Sequence, residues 1–170
     1  MSLTTFRTSG ADRAARDAAP AEHGPSAKVT VPSLLDRKLL RHPIAVVTAY
    51  DYASARLVDE AGLDIVLVGD SLAMVMQGHE NTLAVTMDEM LLYTRAVRRA
   101  VRRALVVSDM PFGSYQVDEG EGVANALRFV KEAGAEAVKV EGGRQRAGLV
   151  RRIVGAEVPV MGHLGLTPQS

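Results

Sequence analysis

Residues Ile65 to Gly78 read I-V-L-V-G-D-S-L-A-M-V-M-Q-G. The stretch opens as a short apolar run of β-branched residues and Leu and stops abruptly at Gly69-Asp70-Ser71. A continuous apolar run of this length suits a strand covered on both faces, as in a parallel sheet. The polar triplet then falls at the strand's C-terminal end, where α/β folds place their ligands. Asp70 is therefore the first candidate functional residue. The alternative is a structural one, with Asp70-Ser71 acting as a helix cap or turn.

Composition narrows the field. The chain has 170 residues, enough for one domain with a substantial core, and 20 basic residues balance 20 acidic ones. A formal net charge of zero gives no general attraction to nucleic acid or to an anionic membrane. Cysteine is absent, which excludes disulfides, thiolate metal sites and a cysteine nucleophile. It fits a reducing, cytoplasmic location. No apolar run approaches the roughly 18 residues of a membrane span, and the first residues lack the apolar segment of a secretory signal.

Residues 1–30 are rich in Ala, Arg, Asp, Ser, Gly and Pro and are expected to form a disordered or loosely ordered tail. Residues 31–170 are expected to form the domain. A short helical pattern, Leu34, Leu35, Leu39 and Leu40, precedes the first strand, Ile44 to Thr48. Helices are expected over 52–61, from the Thr86–Glu89 capping box to Arg103, over 121–133 and over 145–154. Strands are expected at 65–68, 105–108, 137–141 and 158–161, the last ending in Gly162-His163-Leu164-Gly165.

Two segments repeat each other. Glu60-Ala61-Gly62-Leu63-Asp64-Ile65-Val66-Leu67-Val68 matches Glu132-Ala133-Gly134-Ala135-Glu136-Ala137-Val138-Lys139-Val140. Each spells helix end, glycine cap, acid and buried strand. Repeated βα units give a parallel sheet, either a closed (βα)8 barrel of the TIM type or an open doubly wound sheet. No G-x-G-x-x-G follows the first strand, which disfavours the dinucleotide-binding version. The barrel is the expected fold.

Three successive strands end in an acid: Asp70, Asp109 and Glu141. Neighbouring strands lie about 4.8 Å apart, so three adjacent ends can aim carboxylates at one point, and a divalent cation relieves their repulsion. An oxygen-only donor set points to Mg²⁺. Lys139, two residues before Glu141, faces the same side. It suits either a substrate carboxylate or a structural ion pair with Glu141 or Asp109. His163 is open to substrate contact, acid–base chemistry or a structural role. His79 reads as a loop residue, and Met74 and Met76 as lid or packing residues. Arg98, Arg99, Arg102 and Arg103 read as a solvated helix end that favours the dipole.

These residues sit in stretches that together resemble the ketopantoate hydroxymethyltransferase (3-methyl-2-oxobutanoate hydroxymethyltransferase) family. The stretches are Thr48-Ala49-Tyr50-Asp51, Val68-Gly69-Asp70-Ser71-Leu72, Gln77-Gly78-His79, Asp109-Met110-Pro111-Phe112, Val138-Lys139-Val140-Glu141-Gly142-Gly143 and the run from Gly162 through Gln169 to Ser170. The resemblance runs from about residue 31 to the last residue. It implies a (βα)8 barrel that binds Mg²⁺ and assembles as a homo-oligomer, often a decamer. It implies transfer of a one-carbon unit from 5,10-methylenetetrahydrofolate to 3-methyl-2-oxobutanoate, giving 2-dehydropantoate for pantothenate biosynthesis. Asp70, Asp109 and Glu141 correspond to the acids around the metal. Asp70, Ser71, Asp109 and Lys139 correspond to the oxo-acid contacts.

Ala73 stands where the family usually has Gly, and Ala84 where it often has Pro. A (βα)8 barrel takes roughly 250 residues, so the resemblance implies an N-terminal portion truncated after about five βα units. The family's general base, a glutamate on a later strand, has no counterpart here, and this chain alone is expected to be inactive. Two other readings stay open: an inert or partner-binding partial barrel, and a Mg²⁺-dependent carbon–carbon lyase or mutase resembling isocitrate lyase and phosphoenolpyruvate mutase. The second rests on a faint likeness around Tyr50-Asp51.

Overall fold

The structure, a computed structural model, describes residues 27–169. The tail expected over residues 1–30 lies outside the described residues as far as residue 26. Its last residues are docked: the Val29 N–H donates to the Arg103 carbonyl (2.8 Å) and the Lys28 ammonium meets Glu136 at 2.6 Å.

Helix α1 (Val31–Leu39) begins with a capping box between Thr30 and Ser33. Then follow β1 (Val46–Thr48), α2 (Tyr52–Glu60), β2 (Ile65–Val68), the short α3 (Leu72–Val75), α4 (Met87–Ala100), β3 (Leu105–Asp109), α5 (Glu119–Ala133) and β4 (Ala137–Glu141). A 3₁₀ turn (Arg144–Arg146), α6 (Ala147–Gly155) and β5 (Val160–His163) complete the order. All five strands are parallel and lie in the order β1-β2-β3-β4-β5.

That order, together with the placement of the helices, decides between the two topologies left open by the sequence. The outward side chains Val66, Val68, Val106, Val138 and Val140 pack in one cluster with Ala55 of α2, Leu91 and Val97 of α4, Phe129 of α5 and Ile153 of α6. All four crossover helices therefore cover one face. A doubly wound sheet reverses strand order and covers both faces; a barrel winds in one direction with its helices outside. The opposite face carries Ile65, Leu105, Val107 and Ala137, which meet Val29 and Leu34 of the N-terminal segment. A cavity of about 760 Å³ lies on this inner face, lined by apolar side chains such as Val46, Val107 and Met161, and bordered by α1.

Several boundaries differ from the sequence expectation. Strand β1 starts at Val46 rather than Ile44, because pairing with β2 begins at Val46–Ile65. Strand β5 runs Val160–His163 rather than 158–161. Pro159 has no N–H to donate, and its carbonyl instead accepts from Val138 N (3.0 Å), which brings His163 into the strand. Helix α4 ends at Ala100, not Arg103, since the N–H groups of Arg102, Arg103 and Ala104 turn to the Asp59 carboxylate. Helix α5 starts two residues earlier than expected because Asp118 caps it. Coverage on both faces holds for the central strands, while β1 is exposed throughout, being an edge.

The internal repeat has a structural meaning. Gly62 and Gly134 both take positive φ, +80° and +74°, and end their helices. The acid that follows each glycine ties the new strand to the previous one. Asp64 accepts from Ala45 N (3.0 Å), and Glu136 accepts from Val106 N (3.0 Å). Each also holds a cation: Arg37 and Arg103 for Asp64, Lys28 for Glu136. Arg103 further donates to the Gly62 and Leu63 carbonyls, and Arg98 to that of Val101, so this arginine group is partly a set of carbonyl caps and not only a solvated face. No helix of the described residues is long and apolar enough to cross a membrane.

Candidate active site

The C-terminal ends of β2, β3 and β4 converge on a polar cluster. Asp70 lies two residues past the end of β2, Asp109 closes β3, and Glu141 closes β4; all three are buried. Parallel register sets Asp109 beside Lys139 and Glu141 beside His163. Because side chains alternate along a strand, Lys139 and Glu141 share the inner face. The Lys139 ammonium donates to Asp109 Oδ1 at 2.6 Å and lies 4.0 Å from Glu141. The other oxygen, Asp109 Oδ2, accepts the Asp70 N–H (3.1 Å).

Gly69 stands between β2 and Asp70. A Cβ there would lie 2.7 Å from Ser71 Oγ, so that side chain would have to move, while Asp109 Oδ2 at 3.6 Å would be in ordinary contact. Of the structural alternative for Asp70-Ser71, the turn is present and the side-chain cap is not. Ser71 stands at the start of α3 without a side-chain capping bond, and Asp70 uses its backbone carbonyl, not its carboxylate, for the turn. Both side chains are therefore turned to the site. Ser71 Oγ shares a hydrogen bond with the Tyr50 hydroxyl (2.8 Å).

Electrostatics single out two of the acids. Burial raises Asp109 to about 6; Lys139 pulls it down without cancelling that effect, and the Asp70 charge adds to it. Burial also raises Asp70, with the Glu141 charge adding and Gln169 and Lys139 opposing. Two buried carboxyls beside one lysine carry more negative charge than the protein neutralises. Glu141 is differently placed: its Oε1 meets His163 Nδ1 at 3.1 Å and its Oε2 accepts the Gln169 N–H at 3.1 Å.

Among the described residues, no three His, Cys, Asp or Glu side chains stand grouped to hold a metal ion. The expected three-acid set is thus assembled only as a pair, Asp70 and Asp109, with Glu141 turned to His163 and Gln169. The pair still fits a hard cation: its donors are oxygens, it is buried, and its charge is under-compensated. Mg²⁺ typically takes one or two carboxylates and fills its other positions with water and substrate oxygens.

His163 is tied to Glu141, away from the aspartate pair. His79 is exposed, as expected of a loop residue, and Met74 and Met76 are exposed rather than packed. Two residues at the centre of the cluster carry no sequence signal of their role. Gln169 is 5% exposed and bonds to Asp70, Met110, Tyr115 and Glu141. Tyr115 joins Gln169 to the β4 backbone, its hydroxyl accepting the Glu141 N–H (3.2 Å). Burial keeps that phenol protonated, pushing it up to about 12. A cavity of about 140 Å³ adjoins them, between Tyr115, Glu141, Arg146 and Gln169. The nearest thing to a signal is a polar residue in the G-H-L-G-L-T-P-Q-S run, and it names no partner.

Fold and site together define a parallel βα protein of the barrel type, with an acid-and-lysine cluster at the strand ends. The chain belongs to the ketopantoate hydroxymethyltransferase family, whose model matches residues 28–170. It is 65% identical over 143 residues to a 3-methyl-2-oxobutanoate hydroxymethyltransferase of Koribacter versatilis, covering 84% of this chain and 48% of the relative. It is 59% identical over 129 residues to the enzyme of that name from Pyrococcus furiosus, covering 76% and 45%. The chain thus spans about half the length of the relatives it matches. Among solved structures, it resembles oxaloacetate acetylhydrolase (TM-score 0.60, 13% identity, 82% of this chain and 53% of that one). It also resembles 2,3-dimethylmalate lyase, a member of the PEP mutase/isocitrate lyase superfamily (TM-score 0.59, 19% identity, 79% and 52%). At such identities the likeness to the lyases is one of fold, which is all that remains of the lyase reading.

Proposed function

We propose that this chain carries the oxo-acid and metal half of a hydroxymethyltransferase site. The reaction is transfer of a one-carbon unit from 5,10-methylenetetrahydrofolate to 3-methyl-2-oxobutanoate, giving 2-dehydropantoate. The observation that carries the reading is the under-neutralised pair Asp70 and Asp109 beside Lys139, at the strand ends of a chain from this family.

Asp70 and Asp109 are the residues that would hold Mg²⁺, with Glu141 in the surrounding shell. Mg²⁺ bound there supplies a Lewis acid for the keto oxygen of the substrate. The chain's own residues do the rest of the positioning. Lys139 offers its ammonium to the substrate carboxylate, and its bond to Asp109 fixes where that charge sits. The Tyr50 hydroxyl orients Ser71 Oγ toward the same substrate. Gly69, having no Cβ, leaves Ser71 Oγ the room to sit where it does. Negative charge develops on the substrate as the C3 proton leaves, and Lys139 stabilises it.

No carboxylate in the cluster is free to take that proton. Asp70 and Asp109 would be taken up by the cation, and Glu141 is held by His163 and Gln169. The proposal therefore includes a base from outside these residues and negligible turnover by this chain alone. Homo-oligomeric assembly and a cytoplasmic location, both implied by the family resemblance, belong to the same proposal.

Titration calorimetry of the chain with Mg²⁺ and 3-methyl-2-oxobutanoate tests it. Binding of the oxo acid should require Mg²⁺ and weaken in Asp109→Asn and in Lys139→Ala. Oxo-acid affinity that is indifferent to both substitutions would remove the reading.

A further inference from the structure

We propose that Gln169 is a positioning residue that sets which carboxylate oxygen Asp70 presents to its ligand, and that Tyr115 acts through it. The inference rests on the reading of Asp70 as a ligand-binding acid.

Every polar atom of the Gln169 side chain is used. Nε2 donates to Asp70 Oδ2 (2.7 Å) and to the Met110 carbonyl (3.0 Å). Oε1 accepts from the Tyr115 hydroxyl (2.7 Å) and from Gln116 Nε2 (3.2 Å). A primary amide has two donors and room for two acceptor contacts, so the inventory is full. Its orientation follows from the partners. A carbonyl and a carboxylate only accept, so the NH₂ end must face Met110 and Asp70. Tyr115 is fixed in turn: its oxygen accepts the Glu141 N–H, and its one proton goes to Gln169 Oε1. A flipped amide would set oxygen against oxygen at two contacts at once.

The bonded chain has a consequence at the aspartate. One oxygen of Asp70, Oδ2, is engaged by Gln169. The other, Oδ1, is the one the proposal presents to a ligand, beside the Asp109 carboxyl that the Asp70 side chain also meets. Gln169 does this without adding charge, so the acid pair keeps the negative potential that would attract a cation. A lysine or arginine at the same place would neutralise it. The Gln169 backbone N–H also grips Glu141 Oε2, so one residue spans acids from β2 and β4 across 99 and 28 positions of sequence. Partners of this kind around metal-binding carboxylates typically change affinity by about 10–100-fold when lost.

The test uses the full chain, with Mn²⁺ as a spectroscopic stand-in for Mg²⁺. In the ligand-free protein, the Gln169 side-chain amide protons should exchange with water at least about tenfold more slowly than those of the exposed Gln145. Tyr115→Phe should remove most of that protection. Mn²⁺ affinity, read by electron paramagnetic resonance, should fall about 10–100-fold in Gln169→Met and less in Tyr115→Phe. The double variant should bind no worse than Gln169→Met alone, because Tyr115 acts through the amide. A merely structural glutamine would instead lower the melting temperature while leaving Mn²⁺ affinity intact, and that result overturns the inference. Additive losses in the double variant overturn the role of Tyr115. If the parent chain binds no Mn²⁺, the metal reading of the site fails. The inference is then decided by the amide protons and by the carboxyl ¹³C signal of Asp70. Protected amide protons and a ¹³C signal that moves in Gln169→Met uphold it; rapid amide exchange or an unmoved signal rejects it.

Discussion

The two ends of this sheet handle their acids in opposite ways. At the N-terminal ends of the strands, each acid is satisfied. Asp64 holds two guanidiniums and a backbone N–H, and Glu136 holds Lys28 and a backbone N–H. Asp59 nearby is pushed up by burial, yet the N–H groups of Ala104, Arg102 and Arg103 outweigh that and leave it below its usual range. At the C-terminal ends, Asp70 and Asp109 stay above theirs even with Lys139 between the strands. The first arrangement stores stability; the second gives some up, as the proposed function requires of acids that await a ligand. Acids around one sheet thus separate by how fully the protein neutralises them.

The sharpest way to break this comparison is at Asp64. Asp64→Ala strands two cations and a backbone donor in a buried setting and should cost about 3–5 kcal/mol of folding stability. Urea denaturation would show it as a lower midpoint. A midpoint unchanged within error would mean that this end is not the stabilising one.

Asp70→Asn probes the other end. The amide keeps an acceptor for Gln169 but removes the under-compensated charge. Mg²⁺ affinity should fall about 100-fold, roughly 2.7 kcal/mol, while the melting temperature stays level or rises. A clear loss of stability with unchanged affinity would assign Asp70 to the architecture instead.

The pH dependence of stability separates the two ends in one experiment. Asp109 is raised in the folded state, so between its ordinary value of 3.8 and about 6 the folded chain binds more protons than the unfolded one. Stability should therefore fall as pH rises through that window, by on the order of 3 kcal/mol, and level off above it. Asp59 is lowered, so its contribution has the opposite sign: it is present above 3.8 and lost as pH falls below that. Chemical denaturation from pH 3 to 8 should show the decline above 4, and Asp109→Asn should flatten it. A steady rise from 4 to 6 in the parent chain would contradict the assignment.

The smallest effect belongs to Lys28→Ala. Its ion pair with Glu136 is about one-third exposed, and such pairs contribute about 0–1 kcal/mol. A shift of the melting temperature by no more than a few degrees is expected. A much larger one would show that the segment before α1 anchors the sheet more firmly than its exposure implies.

Much of this molecule is legible in its sequence. The apolar run Ile65–Val68, the glycines at 62 and 134 and the Thr86–Glu89 box are local signals. They follow from alternation along a strand, from the freedom of glycine at positive φ, and from the reach of a side chain over three residues. The same locality places Asp70, Asp109, Lys139 and Glu141 at strand ends and sets Lys139 and Glu141 on one face. What the sequence by itself determined is therefore the alternation of βα units and the kind of chemistry gathered at their ends.

Only the tertiary structure decided which of those groups meet. Strand order and the one-sided helix layer chose the barrel-type winding over the doubly wound one. Inter-strand register gave Asp109 to Lys139 and Glu141 to His163. The return of the chain after β5 brought Gln169 to Asp70 from 99 residues away. Register and chain return depend on how whole layers pack, and a buried glutamine looks the same in sequence whichever acid it serves. That is why the acids are readable one by one, while their division into a pair beside Lys139 and a separately held glutamate is not.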